Sequence, residues 1–186
     1  PELKEADITY KTRQLLDIAV NEKGNEEFLQ LEREHGGSLI DLLVNGVKEG
    51  RLIAYAAKKS NFSQPLAIDS FTELIAKAGL QQKAKAPLPV VGYKLKEDVL
   101  SIKNSKEKLV HIIGLAPIVE VKGSNGKTTE QPLFWLYYPG ICDYINGYKS
   151  PEPADMPKDW YSYFEAHTFV TKESKDKTAP PIGFEH

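Results

Sequence analysis

The run Gly123-Ser-Asn-Gly-Lys-Thr-Thr129 is the sharpest chemical candidate in this sequence. Glycines beside a Lys-Thr pair suit a phosphate loop: backbone N–H groups and a helix N-terminus hold the anion, and the lysine and threonine complete the site. The surroundings argue against that use. A Walker-type loop wants glycine at position 121, where Val121 stands. It also wants a long helix behind the Lys-Thr, but Pro132 comes four residues after Thr128, and the apolar run behind it reads as a strand ending at Pro139. The stretch therefore reads as a hairpin loop, with Asn125-Gly126 as its tight-turn dipeptide.

The run also resembles the nucleotide loop of the Mur ligases, but 186 residues are too few for one, and nothing downstream supplies the remaining ligands. The other chemical residues do not assemble. His35, His111 and His167 are far apart, without the i, i+4 spacing of a metal-binding helix. His111 sits in a strand-like run and reads as a satisfied core or edge histidine. Cys142 is the single cysteine, which excludes an internal disulfide and any zinc site needing two thiolates. It reads as a buried, inert thiol. No serine lies in a G-x-S-x-G elbow, and Asn61-Phe62-Ser63 fits a glycosylation sequon only as short motifs do by chance. No catalytic residue, metal or cofactor is expected.

Composition is that of a soluble globular chain, 41% hydrophobic and 27% charged with a net charge of −2. That balance is wrong for a protein living on nucleic acid, which needs a clustered basic face. Lys77 to Lys108 is locally basic, with eight lysines against Glu97, Asp98 and Glu107; its lysines read as a solvated surface rather than an anion-binding face. No apolar run approaches the ~20 residues of a membrane helix, and no signal peptide is expected within these residues. The chain opens at Pro1, so an upstream segment is expected to have been removed, and Glu185-His186 is expected to include a tag remnant.

The elements that must position these residues divide into two halves. Residues 7–34 have apolar positions of partly helical spacing, and the type of their first element stays open; Glu26 to Glu34 reads as a short helix. Ser38 with Asp41 opens a clear helix in capping-box fashion. Its stripe is Leu39, Ile40, Leu43, Val44 and Val47, and Gly50 is its left-handed cap. Leu52 to Tyr55 reads as a short strand. A further helix is expected from Asp69 as N-cap through Phe71, Leu74 and Ile75 to Gly79. Residues 80–92 read as a connector. Tyr93–Ile102, Leu109–Val121 and Leu133–Tyr138 read as strands of an antiparallel meander. Ile141 to Ile145 is a short helical stretch, and Trp160, Tyr163 and Phe164 sit at helical spacing to dock on the sheet. The fold class is α+β: a mainly antiparallel sheet, with a meander over 93–138, covered by N-terminal and C-terminal helices. Residues 1–171 form a single domain and 172–186 a polar, flexible tail.

Phe134-Trp135-Leu136-Tyr137-Tyr138 puts large apolar side chains on both faces of one strand. Such a strand is covered on both faces, by its own helices or by a partner.

These segments resemble the GldN/PorN family of the type IX secretion and gliding motility apparatus. The resemblance rests on Tyr93-Lys-Leu-Lys-Glu-Asp98, His111-Ile-Ile-Gly-Leu-Ala-Pro-Ile-Val119 and Leu133-Phe-Trp-Leu-Tyr-Tyr-Pro139. It continues through Trp160 to Phe169 and Thr171-Lys-Glu-Ser174, and in the first half through Ser38-Leu-Ile-Asp-Leu-Leu, Lys48-Glu-Gly-Arg and Ala54-Tyr55. It is collinear from about Asp7 to Lys175. It implies a non-catalytic periplasmic structural subunit, outer-membrane-associated through a GldK/PorK-type lipoprotein, assembling in rings and contacting the GldM/PorM-type motor protein. Two departures are those of a divergent paralogue: Gly140-Ile141-Cys142 where the family has charged residues, and Ala166-His167 where it tends to have arginine. Interface contacts are expected at Trp135, Tyr137, Tyr138, Pro139, Gly140, Lys172 and Glu173. The alternatives are a small nucleotide-dependent enzyme using Gly123 to Thr129 and a periplasmic binding module for sugar or peptide.

Overall fold

The structure is a computed structural model that describes residues 7–26, 38–58, 61–78, 90–122, 126–146, 159–174 and 176. Its centre is one antiparallel sheet. The strands are β1 (Ile8–Ala19), β2 (Ala54–Ala56), β3 (Val90–Ile102), β4 (Lys108–Lys122), β5 (Thr128–Pro132), β6 (Phe134–Tyr137) and β7 (Lys172–Glu173). They lie in the order β2-β6-β4-β3-β1-β7, with β5 also paired to β4. The expected α+β class and the antiparallel meander are what the structure has.

Among the described residues the α-helices are α1 (Leu39–Lys48), α2 (Ile68–Lys77), α3 (Cys142–Asn146) and α4 (Trp160–Ala166). They cover one face of the sheet. Leu39, Leu43, Phe71, Ile145, Trp160 and Phe164 from the helices meet Ile18, Tyr93, Leu95, Leu115, Phe134 and Leu136 from the strands in one core. Each large side chain sealed this way contributes about 1.5–3 kcal/mol.

Helix α1 begins as the sequence indicates. Ser38 Oγ accepts from the Asp41 backbone N–H at 3.3 Å, and Gly50 follows the helix with φ +71°. Helix α2 begins earlier than expected. Its N-cap is Ala67, without a side-chain cap, and Asp69 sits inside the first turn, where a carboxylate still suits the helix dipole. Gly79, the expected Glu26–Glu34 helix beyond Glu26, and most of the 80–92 connector lie outside the described residues; residues 90–92 belong to β3.

The long first strand is the main addition. Residues 8–19 pair with β3 along their whole length. Strand β5 is the second addition: the segment expected only to join two strands pairs with β4 from Thr128 to Pro132. β5 and β6 run on as one line beside β4. Ile118 faces Pro132 while Leu115 faces Leu136, so the line carries one extra residue, a bulge at Leu133. The expected tail opens as β7, with Lys172 opposite Asp17 and Glu173 opposite Leu16.

Candidate partner-binding surface

The aromatic strand β6 explains why both of its faces are apolar. Phe134, Leu136 and Tyr138 point to the helices: Phe134 meets Phe71 with ring centres 5.0 Å apart, and Tyr138 meets Phe164 at 6.0 Å. Trp135 points to the opposite face and closes a second, small core with Leu15, Ala116, Tyr55 and Phe62. That cover comes from a turn of this same chain. Phe62 packs edge-on against Tyr55 at 5.5 Å, Trp135 at 6.3 Å and Tyr137 at 5.4 Å. It does so with φ +56°, a left-handed conformation that is strained for a bulky residue. Asn61 holds the turn, accepting from the Ser63 hydroxyl at 2.6 Å.

Beneath Phe62 lies a buried lysine. Lys96 Nζ is 5.0 Å from the Phe62 ring centre and 4.7 Å from that of Trp135, within the range of cation–π attraction. Burial, reinforced by Arg13 and opposed by Asp98, brings its pKa down to about 8. Gly114 makes room for the arrangement. A Cβ there would stand 2.8 Å from Phe62 Cζ and 3.2 Å from the Trp135 ring.

The rest of that face is an ordered set of ion pairs. Asp98 takes a bidentate pair from Arg13, at 2.7 and 3.0 Å, and a third contact from Lys11 at 2.9 Å. Burial pulls the Asp98 pKa upward, but the bonds from Arg13 and Lys11 outweigh it and leave the carboxyl below its usual value. Lys94 reaches Asp17 and Asp176 at 2.8 Å each and also Ser174. The expectation of solvated lysines therefore fails at Lys94 and Lys96, which are 4% and 2% exposed: cross-strand acids and aromatic rings replace the water. Asn25 is another buried polar group, clipping the end of β1 to Val170 through three hydrogen bonds of 2.6–3.1 Å.

Beyond β6 the chain turns through a short 3-10 segment, Tyr138–Gly140. Tyr137, Pro139 and Gly140 are exposed there, Tyr137 to 45%. Lys172 and Glu173 are exposed on β7, with β4, β3 and β1 between them and β6. The sequence model of the family described as gliding motility associated protein GldN matches residues 3–176. The chain belongs to the GldN family. No curated protein matches it. Membership makes it a component of the gliding motility and type IX secretion machinery, a family of envelope-associated structural components. No helix among the described residues is long and apolar enough to cross a membrane.

The GldN-like motifs now have physical roles. Gly114 of the Ile-Gly-Leu-Ala-Pro run seats Phe62, and Leu115 and Ala116 enter the two opposite cores. The Phe-Trp-Leu-Tyr-Tyr-Pro run is β6 and its corner. At the first of the two places expected to depart from the family pattern, Ile141 is buried and Cys142 Sγ–H donates to Tyr138 O at 3.2 Å. His167 Nε2 lies 3.1 Å from the buried Glu97 carboxylate, so a histidine meets that acid.

Of the seven expected contact residues, Trp135 and Tyr138 are 2% exposed each, on opposite faces of the sheet. Tyr137, Pro139 and Gly140 form one exposed corner, and Lys172 and Glu173 lie apart at the far edge. The chemical candidates stay scattered. Thr128 and Thr129 of the glycine-rich run lie in β5, not at the head of a helix, and Gly126 turns the chain with φ +74°. Residues 123–125 and His35 lie outside the described residues. His111 is exposed in β4, opposite Asp98. Cys142 has its pKa raised to about 11 by burial and by the carboxylates of Glu165 and Asp143. No group of three or more His, Cys, Asp or Glu among the described residues could hold a metal ion.

Proposed function

We propose that this chain is a non-catalytic scaffold subunit of the periplasm. It assembles with a GldK/PorK-type lipoprotein at the outer membrane, with the GldM/PorM-type motor component and with further copies of itself. The observation that carries the reading is the family match over 3–176. The geometry supports it, because the candidate catalytic side chains His111, Cys142 and His167 and the Thr128–Thr129 pair lie on separate elements.

The contacts we assign are the Tyr137–Pro139–Gly140 corner and the Lys172–Glu173 edge. Trp135 and Tyr138 act from inside, fixing the strand that presents Tyr137. An exposed tyrosine held by a neighbouring ring brings contact area at little entropic cost. The test is co-purification of the chain with a GldK/PorK-type lipoprotein, compared with Tyr137→Ala and with Lys172→Glu/Glu173→Lys. Loss of complex in both variants, with folding intact by circular dichroism, supports the assignment; complexes unchanged in both discard it.

A further inference from the structure

The sheet face away from the helices is sealed by Phe62 over β6 and left open toward β7. There a concavity of about 680 Å3 runs from β5 to residues 174 and 176, with Gly92 and Ile118 in its floor. This volume falls within the range of ordinary binding pockets, roughly 300–1,000 Å3. Strand pairing sets Lys94, Ile118, Glu120, Glu130 and Pro132 on this one face. The trough is separate from the Tyr137 corner.

Its charges fall into two sets. Lys94 is held by Asp17 and Asp176, and Lys172 is paired with Glu22. Glu120 and Glu130 stand directly opposite one another on β4 and β5, both exposed. Among the described residues the ion pairs bring no lysine or arginine to either. Two like charges directly opposite on neighbouring strands oppose the pairing that holds them.

We propose that this trough docks an extended, lysine- or arginine-bearing segment of a partner protein, with its cation seated between Glu120 and Glu130. Charge complementarity selects the occupant. A cation between the two carboxylates turns a repelling pair into an attracting triad, and the lysines lining the trough are already committed to other acids. The methylene stem of lysine or arginine lies along Ile118 and Pro132 while its head meets the carboxylates. An acidic peptide, a nucleic acid or an anionic membrane would meet the same two charges with the wrong sign.

The experiment is a chemical-shift titration of the 15N-labelled chain with tetralysine amide, with tetraglutamate as the opposite-charge control. Tetralysine is expected to shift Gly92, Ile118, Glu120, Thr128 and Glu130 in a saturable way, and tetraglutamate to shift none of them. The variant E120Q/E130Q should bind tetralysine at least about tenfold more weakly, since the attraction comes from the two carboxylates. Both substitutions are at exposed positions, and an unchanged spectrum outside the trough verifies the fold. Tetralysine shifts spread evenly over all surface acids, or equal affinity in the double variant, would overturn the proposal. Lys172 and Glu173 line the trough as well, whereas Tyr137 does not, so Tyr137→Ala reports the lipoprotein contact independently of either result.

Discussion

The Lys96 ammonium lies 4.7 Å from the ring centre of Trp135, in a side chain that is 2% exposed. A cation sealed under rings attracts their faces but loses its water, and here the loss of water wins, holding the pKa at about 8.

The pH dependence follows from that shift. The unfolded chain keeps lysine near 10.5. Between pH 8 and 10.5 the unfolded state therefore binds a proton that the folded state has released, and this group makes folding more favourable as pH rises through the window. Below pH 8 both states hold the proton and the burial penalty is felt in full. Urea denaturation of the native chain and of Lys96→Met, from pH 7 to 10.5, checks it. The difference between the two curves should close as pH rises, with the methionine variant the more favoured at pH 7. Parallel curves would show that Lys96 keeps its ordinary pKa.

Gly114 gives a prediction of the opposite kind, purely steric. An alanine methyl at 2.8 Å from Phe62 Cζ has to push the ring away from Trp135 and Lys96, at a cost of about 1–3 kcal/mol. In a Phe62→Ala background the obstacle is gone and the same substitution should cost little. Denaturation midpoints for the two single variants and the double variant form the cycle. Additive effects would mean that the ring does not rest on Gly114.

The fold was legible where a segment is covered on one face only, or carries its own cap. Ser38 and its stripe of Leu39, Leu43 and Val47 defined α1 at once, because the stripe has one core to face. Strand β1 was not legible, since Leu15 belongs to the Trp135 cluster while Leu16 and Ile18 pack on the helix side. A strand covered on both faces loses its period of two. β5 failed for the converse reason: Thr128 to Gln131 are exposed, so no apolar signal marks them. The site was harder still. Lys94 and Lys96 read as solvent-facing because their partners Asp17, Trp135 and Phe62 come from other strands and turns. No local spacing announces such a pairing.

His167 should act as a stabilising cation below neutrality. The hydrogen bond to Glu97 raises its pKa, against the opposing pull of burial. A raised folded-state pKa means that the contribution is fully present below the unfolded value of about 6.5 and is lost as pH climbs through the higher folded value. His167→Ala should therefore cost most at pH 5.5–6 and progressively less toward pH 9. Loss of the partner leaves the buried carboxylate of Glu97 with its hydrogen bond from Gln14 at 2.9 Å. Thermal melts of both proteins across that range decide it, and a cost that does not change with pH would assign His167 a packing role alone.

Cys142 is the final test, because the chain offers it as the one thiol. Its Sγ–H donates to Tyr138 O, and burial with the nearby Glu165 and Asp143 carboxylates raises its pKa to about 11 from an ordinary 9.0. Thiolate is the reacting form, so at pH 8 the folded chain should react with a maleimide or an aromatic disulfide about a hundredfold more slowly than the urea-unfolded chain. Cys142→Ser should fold, since a hydroxyl can make the same bond to Tyr138 O. Rapid labelling of the native protein would show that the thiol is activated by a group outside this arrangement, and a catalytic role for the segment after the Pro139-Gly140 corner would then have to be reconsidered.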